Sequence, residues 1–140
     1  MKITSWNVNG LRAALRKGAD GWWENESPDV LCLQEVRAFP TQLSSAQRIN
    51  LEKANATWNP AQRAGYSGVA TFSKPEAQET ILGLGEERFD IEGRVIQSRF
   101  EDFSLFNIYF PNGQRDHGRV TYKLDFYSYL LEYCDKLHAN

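Results

Sequence analysis

The sequence predicts one α/β domain built on a mixed β-sheet flanked by helices. Three observations predict it. Helix and strand signatures alternate over roughly the first third of the chain, the pattern of parallel strands joined by helical crossovers. Strand signatures then follow one another from residue 69 onward, which brings in antiparallel pairing. Finally, 140 residues with 41% hydrophobic and 13% aromatic content suffice for one core and exclude global disorder.

Residues 3–6 open as a short strand, broken by the turn chemistry of Asn7-Val8-Asn9-Gly10. Residues 11–17 (LRAALRK) are rich in helix formers, with Arg16 and Lys17 in the last turn and Gly18 placed to end it. A second helical piece carries Trp22 and Trp23 and stops at Ser27-Pro28. Residues 29–35 (DVLCLQE) form a nearly continuous apolar run, as expected of a strand buried on both faces. A helix is predicted over 41–54, a turn over 65–68 and a strand over 69–73. Residues 83–93 read as loop and 94–100 as strand. Residues 103–110 (FSLFNIYF) form a further strand, closed by Pro111-Asn112-Gly113. The last element is a helix over 121–138, where Tyr122, Phe126, Tyr129, Leu130, Tyr133 and Leu137 share one stripe. A strand would be the natural element to follow it.

Lys and Arg number 16 against 18 Asp and Glu, a formal charge of −2. That balance excludes a protein coated in positive charge, although local basic clusters remain compatible with nucleic acid. No apolar run approaches the roughly 18 residues of a membrane helix, and the start MKITSW has no signal-peptide core. The expectation is a cytoplasmic protein with no membrane partner. Cys32 and Cys134 are far apart, there is no CxxC pair, and His117 and His138 are the only histidines, which excludes a Cys/His zinc site.

Three polar residues share one kind of position. Asn7 follows the first strand, Glu35 the second, and Tyr109 ends the FSLFNIYF strand. If those strands run in the same direction, all three gather at one sheet edge, where open α/β folds bind ligands. A carboxylate beside an amide suits a hard cation such as Mg²⁺. A strand-end Glu that simply faces water is the competing reading, and periodicity leaves the two about even. Basic residues cluster at the same ends: Arg12, Arg16 and Lys17 after Asn7, Arg37 after Glu35, Arg115 and Arg119 after Tyr109, with Arg94 and Tyr66 at other loop-to-strand boundaries. Such residues either bind a phosphodiester backbone or form an ordinary solvated face. Trp22, Trp23 and Trp58 are read as core.

At these positions the sequence resembles the exonuclease III family of apurinic/apyrimidinic endonucleases, in the endonuclease/exonuclease/phosphatase superfamily. The matching stretches are KITSWNVNGLRA (2–13), LCLQE (31–35), GYSGV (65–69), EGRVI (92–96) and YFPNG (109–113), in the family's order and across essentially the whole chain. The resemblance implies a Mg²⁺-dependent phosphodiesterase, with Mn²⁺ as the alternative metal. It would incise double-stranded DNA 5′ to abasic sites and trim 3′ ends. Glu35 would be the metal carboxylate with Asn7 beside it. Tyr109 would set its phenol at the scissile phosphate, helped by Asn112. Arg12, Ala13, Tyr66 and Arg94 match positions that grip the DNA backbone, and Arg115 matches the loop that reaches into the duplex. Asn9 stands where some relatives have Asp, and Arg37 where Lys is common.

The family is close to twice this length. Its second half carries a Gly-Asp-x-Asn motif that orients the attacking water, a late Asp and a Ser-Asp-His motif, and none of these occurs here. The expectation is therefore an incomplete domain over residues 1–140, the N-terminal half of a four-layered α/β sandwich. It would form one sheet with a bare inner face, which needs the missing C-terminal half or self-association to cover it. The isolated chain would be inactive. The alternatives are a non-catalytic DNA- or metal-binding fragment and one chain of a split enzyme. A phosphatase or sphingomyelinase of the same superfamily is disfavoured by the NGLRA and EGRV stretches.

Overall fold

Strands β1 (Ile3–Asn7) and β2 (Val30–Gln34) run parallel, from Ile3 opposite Val30 to Asn7 opposite Gln34, in a computed structural model that describes residues 1–113 and 117–139. Helices α1 (Leu11–Arg16) and α2 (Ala19–Glu26) make the crossover, and Gly18 between them turns the chain with a left-handed φ of 86°. Strand β4 (Val69–Ser73) lies antiparallel on the far side of β2, and β3 (Asn55–Asn59) lies antiparallel beyond it. The sheet order β1-β2-β4-β3 is mixed, as the sequence predicts.

One face of this sheet is covered by helices. Leu31 and Leu33 of β2 and Ala70 and Phe72 of β4 pack with Leu11, Leu15, Trp23, Leu43 and Leu51. Trp6 meets Trp22 and Trp23 edge-on, with ring centroids 5.2 and 6.3 Å apart. The three aromatics seal the β1 side of the core.

The expectation of a single sheet with a bare inner face is corrected. Strands β5 (Glu79–Leu82), β6 (Val95–Arg99) and β7 (Ser104–Ile108) form a separate antiparallel sheet, which covers the other face of the first. Val30 and Cys32 pack there against Phe100, Ala77 and Leu105, while Asn59 donates Nδ2–H to the Val95 carbonyl at 2.9 Å. The cause is local. β6 and β7 are joined by a tight turn in which Phe100 N–H reaches the Phe103 carbonyl at 2.8 Å, so hairpin pairing closes a short loop before any distant strand is needed.

The helix predicted over 41–54 is also shorter. A 3-10 turn spans Pro40–Gln42 and helix α3 spans Ser45–Leu51, started by a capping box in which Ser44 Oγ accepts from Gln47 N (3.2 Å) and Gln47 Oε1 accepts from Ser44 N (2.9 Å). The loop over 83–93 contains a single helical turn, α4 (Glu87–Asp90). The contacts divide the chain into two compact units, Met1–Tyr109 and Phe110–Asn140. In the second, helix α5 (His117–Ala139) begins four residues before the predicted start, and the Phe110 ring lies 6.0 Å from Phe126 and 5.3 Å from Tyr127. Among the described residues no helix is long and apolar enough to cross a membrane.

Candidate functional site

The C-terminal end of β2 runs into a segment whose backbone is unusual for its side chains. Glu35 and Arg37 both sit in the left-handed region, with φ of 51° and 53°. Such geometry costs on the order of 1–3 kcal/mol per residue unless the surroundings enforce it. Here they do, from both sides. Gly10 N–H donates to the Glu35 carbonyl (2.7 Å) and Leu11 N–H to that of Val36 (2.9 Å). Val36 N–H in turn donates to the Gly68 carbonyl (3.0 Å) and Arg37 N–H to that of Ser67 (2.9 Å). Gly68 has a φ of 86°, and a Cβ there would lie within 3.6–3.8 Å of the Pro60, Arg37 and Asn59 backbones.

The reversal points the Glu35 side chain inward. Its carboxylate is only 15% exposed and accepts two charged or polar donors: Arg37 NH2 at 2.9 Å on Oε2, and the Tyr109 phenol on Oε1. Tyr109 lies just past β7, in the other sheet. Its pKa is pushed up to about 12, first by burial and then by its hydrogen bond to Glu35 and the charge of that carboxylate, with Arg94 opposing. The phenol is therefore a protonated donor at neutral pH. Strand ends 74 residues apart in sequence are joined side chain to side chain.

Arg94 is where the structure adds most to the sequence reading. It is 2% exposed, and its donors point into the protein. Nε and NH2 reach Glu92 Oε2 (2.8 and 2.7 Å), NH1 reaches the Tyr109 carbonyl (3.0 Å), and NH2 reaches the Tyr66 hydroxyl (3.1 Å). Tyr109 N–H returns a bond to the Arg94 carbonyl (2.9 Å), and the guanidinium carbon sits 5.1 Å from the Tyr109 ring centroid. Arg94 thus brackets the Tyr109 backbone from both sides. Gly93, just before it, lies against the chain that leaves β3: its φ is 58°, and a Cβ would collide with the Asn59 carbonyl and the Pro60 backbone.

Asn7 ends β1 opposite Gln34, so it lies beside Glu35 at the same edge. Its Oδ1 accepts from Asn9 N–H at 3.0 Å, an Asx turn that shapes the entry to α1. Arg12 lies on α1 with NH2 3.4 Å from the Arg37 carbonyl, and Ala13 follows it, half-buried. Arg63 stacks over Tyr66 at 5.2 Å from the ring centroid. Asn112 is exposed and belongs to the second unit, and Arg115 lies outside the described residues.

A cation would find only oxygen donors here, the carboxylate of Glu35 and the amide of Asn7. One carboxylate with an amide fits a hard ion that keeps several waters and not a soft one. Among the described residues no three His, Cys, Asp or Glu side chains gather to hold a metal. Sequence reasoning passed over three residues at this edge. Glu92 opens the EGRVI stretch at 92–96. Gln34 directly precedes Glu35. Asn107 is the one amide in an otherwise apolar strand core, and that was its signal.

Comparison with known proteins gives a consistent answer. The family model described as "Endonuclease/Exonuclease/phosphatase family" matches residues 4–140. An exodeoxyribonuclease of Bacillus subtilis is 40% identical over 134 residues, covering 95% of this chain and 52% of the relative. The DNA repair nuclease APEX1 of Danio rerio is 42% identical over 135 residues, covering 93% and 44% respectively. The 3′ phosphatase NExo from Neisseria, solved with a product DNA hairpin, superimposes with a TM-score of 0.83 at 28% identity, covering all of this chain and 53% of that one. The chain spans about half the length of the relatives it matches.

Proposed function

The chain belongs to the endonuclease/exonuclease/phosphatase family, and from that premise we propose that, like the DNA nucleases it matches, it supplies the metal- and phosphate-binding half of a phosphodiesterase that incises duplex DNA 5′ to abasic sites, with 3′-5′ exonuclease activity as a companion reaction. The observation that carries the reading is the meeting of Glu35 and Tyr109, an oxygen ligand and a protonated phenol, at one edge where two sheets end.

In this proposal Glu35 and Asn7 hold a divalent cation, Mg²⁺ before Mn²⁺, which when bound polarises the phosphate and offsets its developing charge. With a cation held there, Glu35 would give up its hydrogen bonds from Tyr109 and Arg37. Tyr109 then has its O–H free to donate to a phosphate oxygen, and burial keeps that proton in place. Arg37, whose positive charge is paired with Glu35 here, would then be able to turn that charge to the same phosphate. Arg12, the backbone at Ala13 and Tyr66 contact the flanking DNA backbone. Arg94 acts through Tyr66 and Tyr109. Asn112 and Arg115 complete the phosphate grip and the duplex contact. Nothing in residues 1–140 matches the family's water-orienting Asp or its paired His, so turnover needs a C-terminal half, carried by a longer protein or a second chain.

The test is a labelled duplex with one abasic-site analogue, incubated with the chain alone and with a complementary C-terminal half, in Mg²⁺ and in EDTA. Metal-dependent incision is expected only with both halves, and Glu35→Ala abolishes it. Incision unchanged by Glu35→Ala would remove Glu35 from the site. Salt-sensitive DNA binding without incision under any condition would favour the second reading, a non-catalytic DNA-binding fragment, which the lack of a three-ligand metal cluster among the described residues also fits.

A further inference from the structure

Between the two sheets, next to the candidate site, lies a buried amide pair that the proposed chemistry does not use. Gln34 is 9% exposed and Asn107 2%. Gln34 Nε2 donates to Asn107 Oδ1 at 2.9 Å, with Ser5 Oγ at 3.0 Å and the Cys32 carbonyl at 3.3 Å also within reach. Asn107 Nδ2 donates to the Ala70 carbonyl (2.9 Å) and Thr71 Oγ1 (3.1 Å), with the Leu33 carbonyl at 3.4 Å. The pair thereby ties β7 of one sheet to β1, β2 and β4 of the other.

Its place in the sequence is what matters. Gln34 immediately precedes Glu35, and Asn107 lies two residues before Tyr109. We propose that Gln34 and Asn107 are positioning residues, a directional clamp that fixes how the two sheets are seated and so sets Tyr109 against Glu35. The contacts of Leu105 on β7 with Val30 and Cys32 are apolar and carry no direction, and the further polar tie between the sheets, Asn59 to the Val95 carbonyl, joins β3 to β6 and not to β7. An amide pair is directional. Buried donors and acceptors go unsatisfied when the register shifts, so only one seating of β7 keeps all of these bonds. An apolar pair would fill the same space without that selectivity. The significance for catalysis rests on the proposed function, whereas the clamp itself does not.

The experiment uses the 140-residue chain labelled with 3-fluorotyrosine and followed by ¹⁹F NMR. Of the six tyrosine signals, that of Tyr109 is identified by Tyr109→Phe, and its position without the carboxylate by Glu35→Ala. Gln34→Met and Asn107→Leu are expected to move the Tyr109 signal towards the Glu35→Ala position, or to broaden it, with far-UV circular dichroism retained. Ser5→Ala removes one partner of Gln34 outside the clamp and should leave the signal in place. A Tyr109 signal unmoved in a folded variant of either amide overturns the proposal. Should Asn107→Leu fail to fold, Gln34→Met decides alone, because it leaves the three Asn107 Nδ2 partners in place. Collapse of both overturns it too, since the pair would then be holding the whole fold and not the site. This readout needs no turnover, so failed incision by the parent protein counts against the proposed function only. With an active assembly, Gln34→Met should lower kcat by on the order of a hundredfold with KM little changed.

Discussion

Glu92→Leu is the substitution whose outcome the structure constrains most closely. Glu92 is the carboxylate partner of a guanidinium that is 2% exposed, and is itself 17% exposed. Removing it takes from a buried guanidinium the carboxylate that its Nε and NH2 share, a change that costs about 3–5 kcal/mol in comparable sites; the partial exposure of Glu92 places it near 3. With a urea slope of about 2 kcal/mol/M for a chain of this size, the unfolding midpoint should fall by roughly 1.5 M. Arg94→Met should cost a similar amount, because it takes the guanidinium from Glu92 and donors from the Tyr109 carbonyl and the Tyr66 hydroxyl. The double variant should cost no more than either single change, giving a coupling of about 3 kcal/mol or more, since an apolar pair can replace a buried ion pair at little net cost. Urea denaturation of the four proteins, followed by tryptophan fluorescence, supplies all the terms. A loss below about 1 kcal/mol in Glu92→Leu, or additive single losses, would refute the argument that Arg94 is a buried charge held by Glu92.

Gly93→Ala should destabilise by at least about 3 kcal/mol, combining left-handed strain with a Cβ driven into the Asn59 carbonyl; a thermal melt within a degree of the parent would contradict the packing at that turn. Cys32 is 3% exposed and burial pushes its thiol from the ordinary 9.0 to about 11, against a smaller opposing effect of its hydrogen bond with Thr71. A disulfide-exchange reagent should therefore label Cys134 in the native chain and reach Cys32 only on unfolding; equal labelling would show the sheets to be open. The same burial fixes a sign for pH. The folded pKa lies above the unfolded one, so the contribution of Cys32 to stability is complete below about pH 9 and disappears as pH rises through 11, a decline that Cys32→Ala should reduce.

Elements whose apolar pattern matches their burial were legible in the sequence. The VLCLQ strand is buried at every position, and its run of apolar residues says so. Strand β5 escapes notice for the opposite reason: all four of its residues are exposed, so Glu79–Leu82 carries no burial signal and owes its existence to β6 beside it. Strand β3 carries little apolar signal: Asn55 and Ala56 are exposed, Thr57 and Trp58 half-buried, and Asn59 is buried through its bond to a second sheet that local pattern cannot reveal. The same limit applies at the candidate site. Asn7, Glu35 and Tyr109 stand out as strand ends, because strand termination is local. The direction of the Arg94 guanidinium depends on Glu92, Tyr66 and Tyr109 together, and the Gln34–Asn107 contact spans 73 residues. Residues that act by touching a distant partner look, in one dimension, like ordinary polar residues.

The bonding of the Glu35 segment also bears on where this chain can change length. Loops ordinarily absorb insertions because few neighbours depend on their spacing. At this edge the stretches 8–11 and 67–68 are each laced to 34–37 through backbone amides and carbonyls, so an added residue in any of the three would break a pairing. The amide protons of Val8, Gly10, Leu11, Val36 and Arg37 should exchange slowly with solvent, as if they lay in strands. Extra residues, affinity tags or fused domains belong instead at the exposed Glu101-Asp102 turn, whose only obligation is to close its own hairpin.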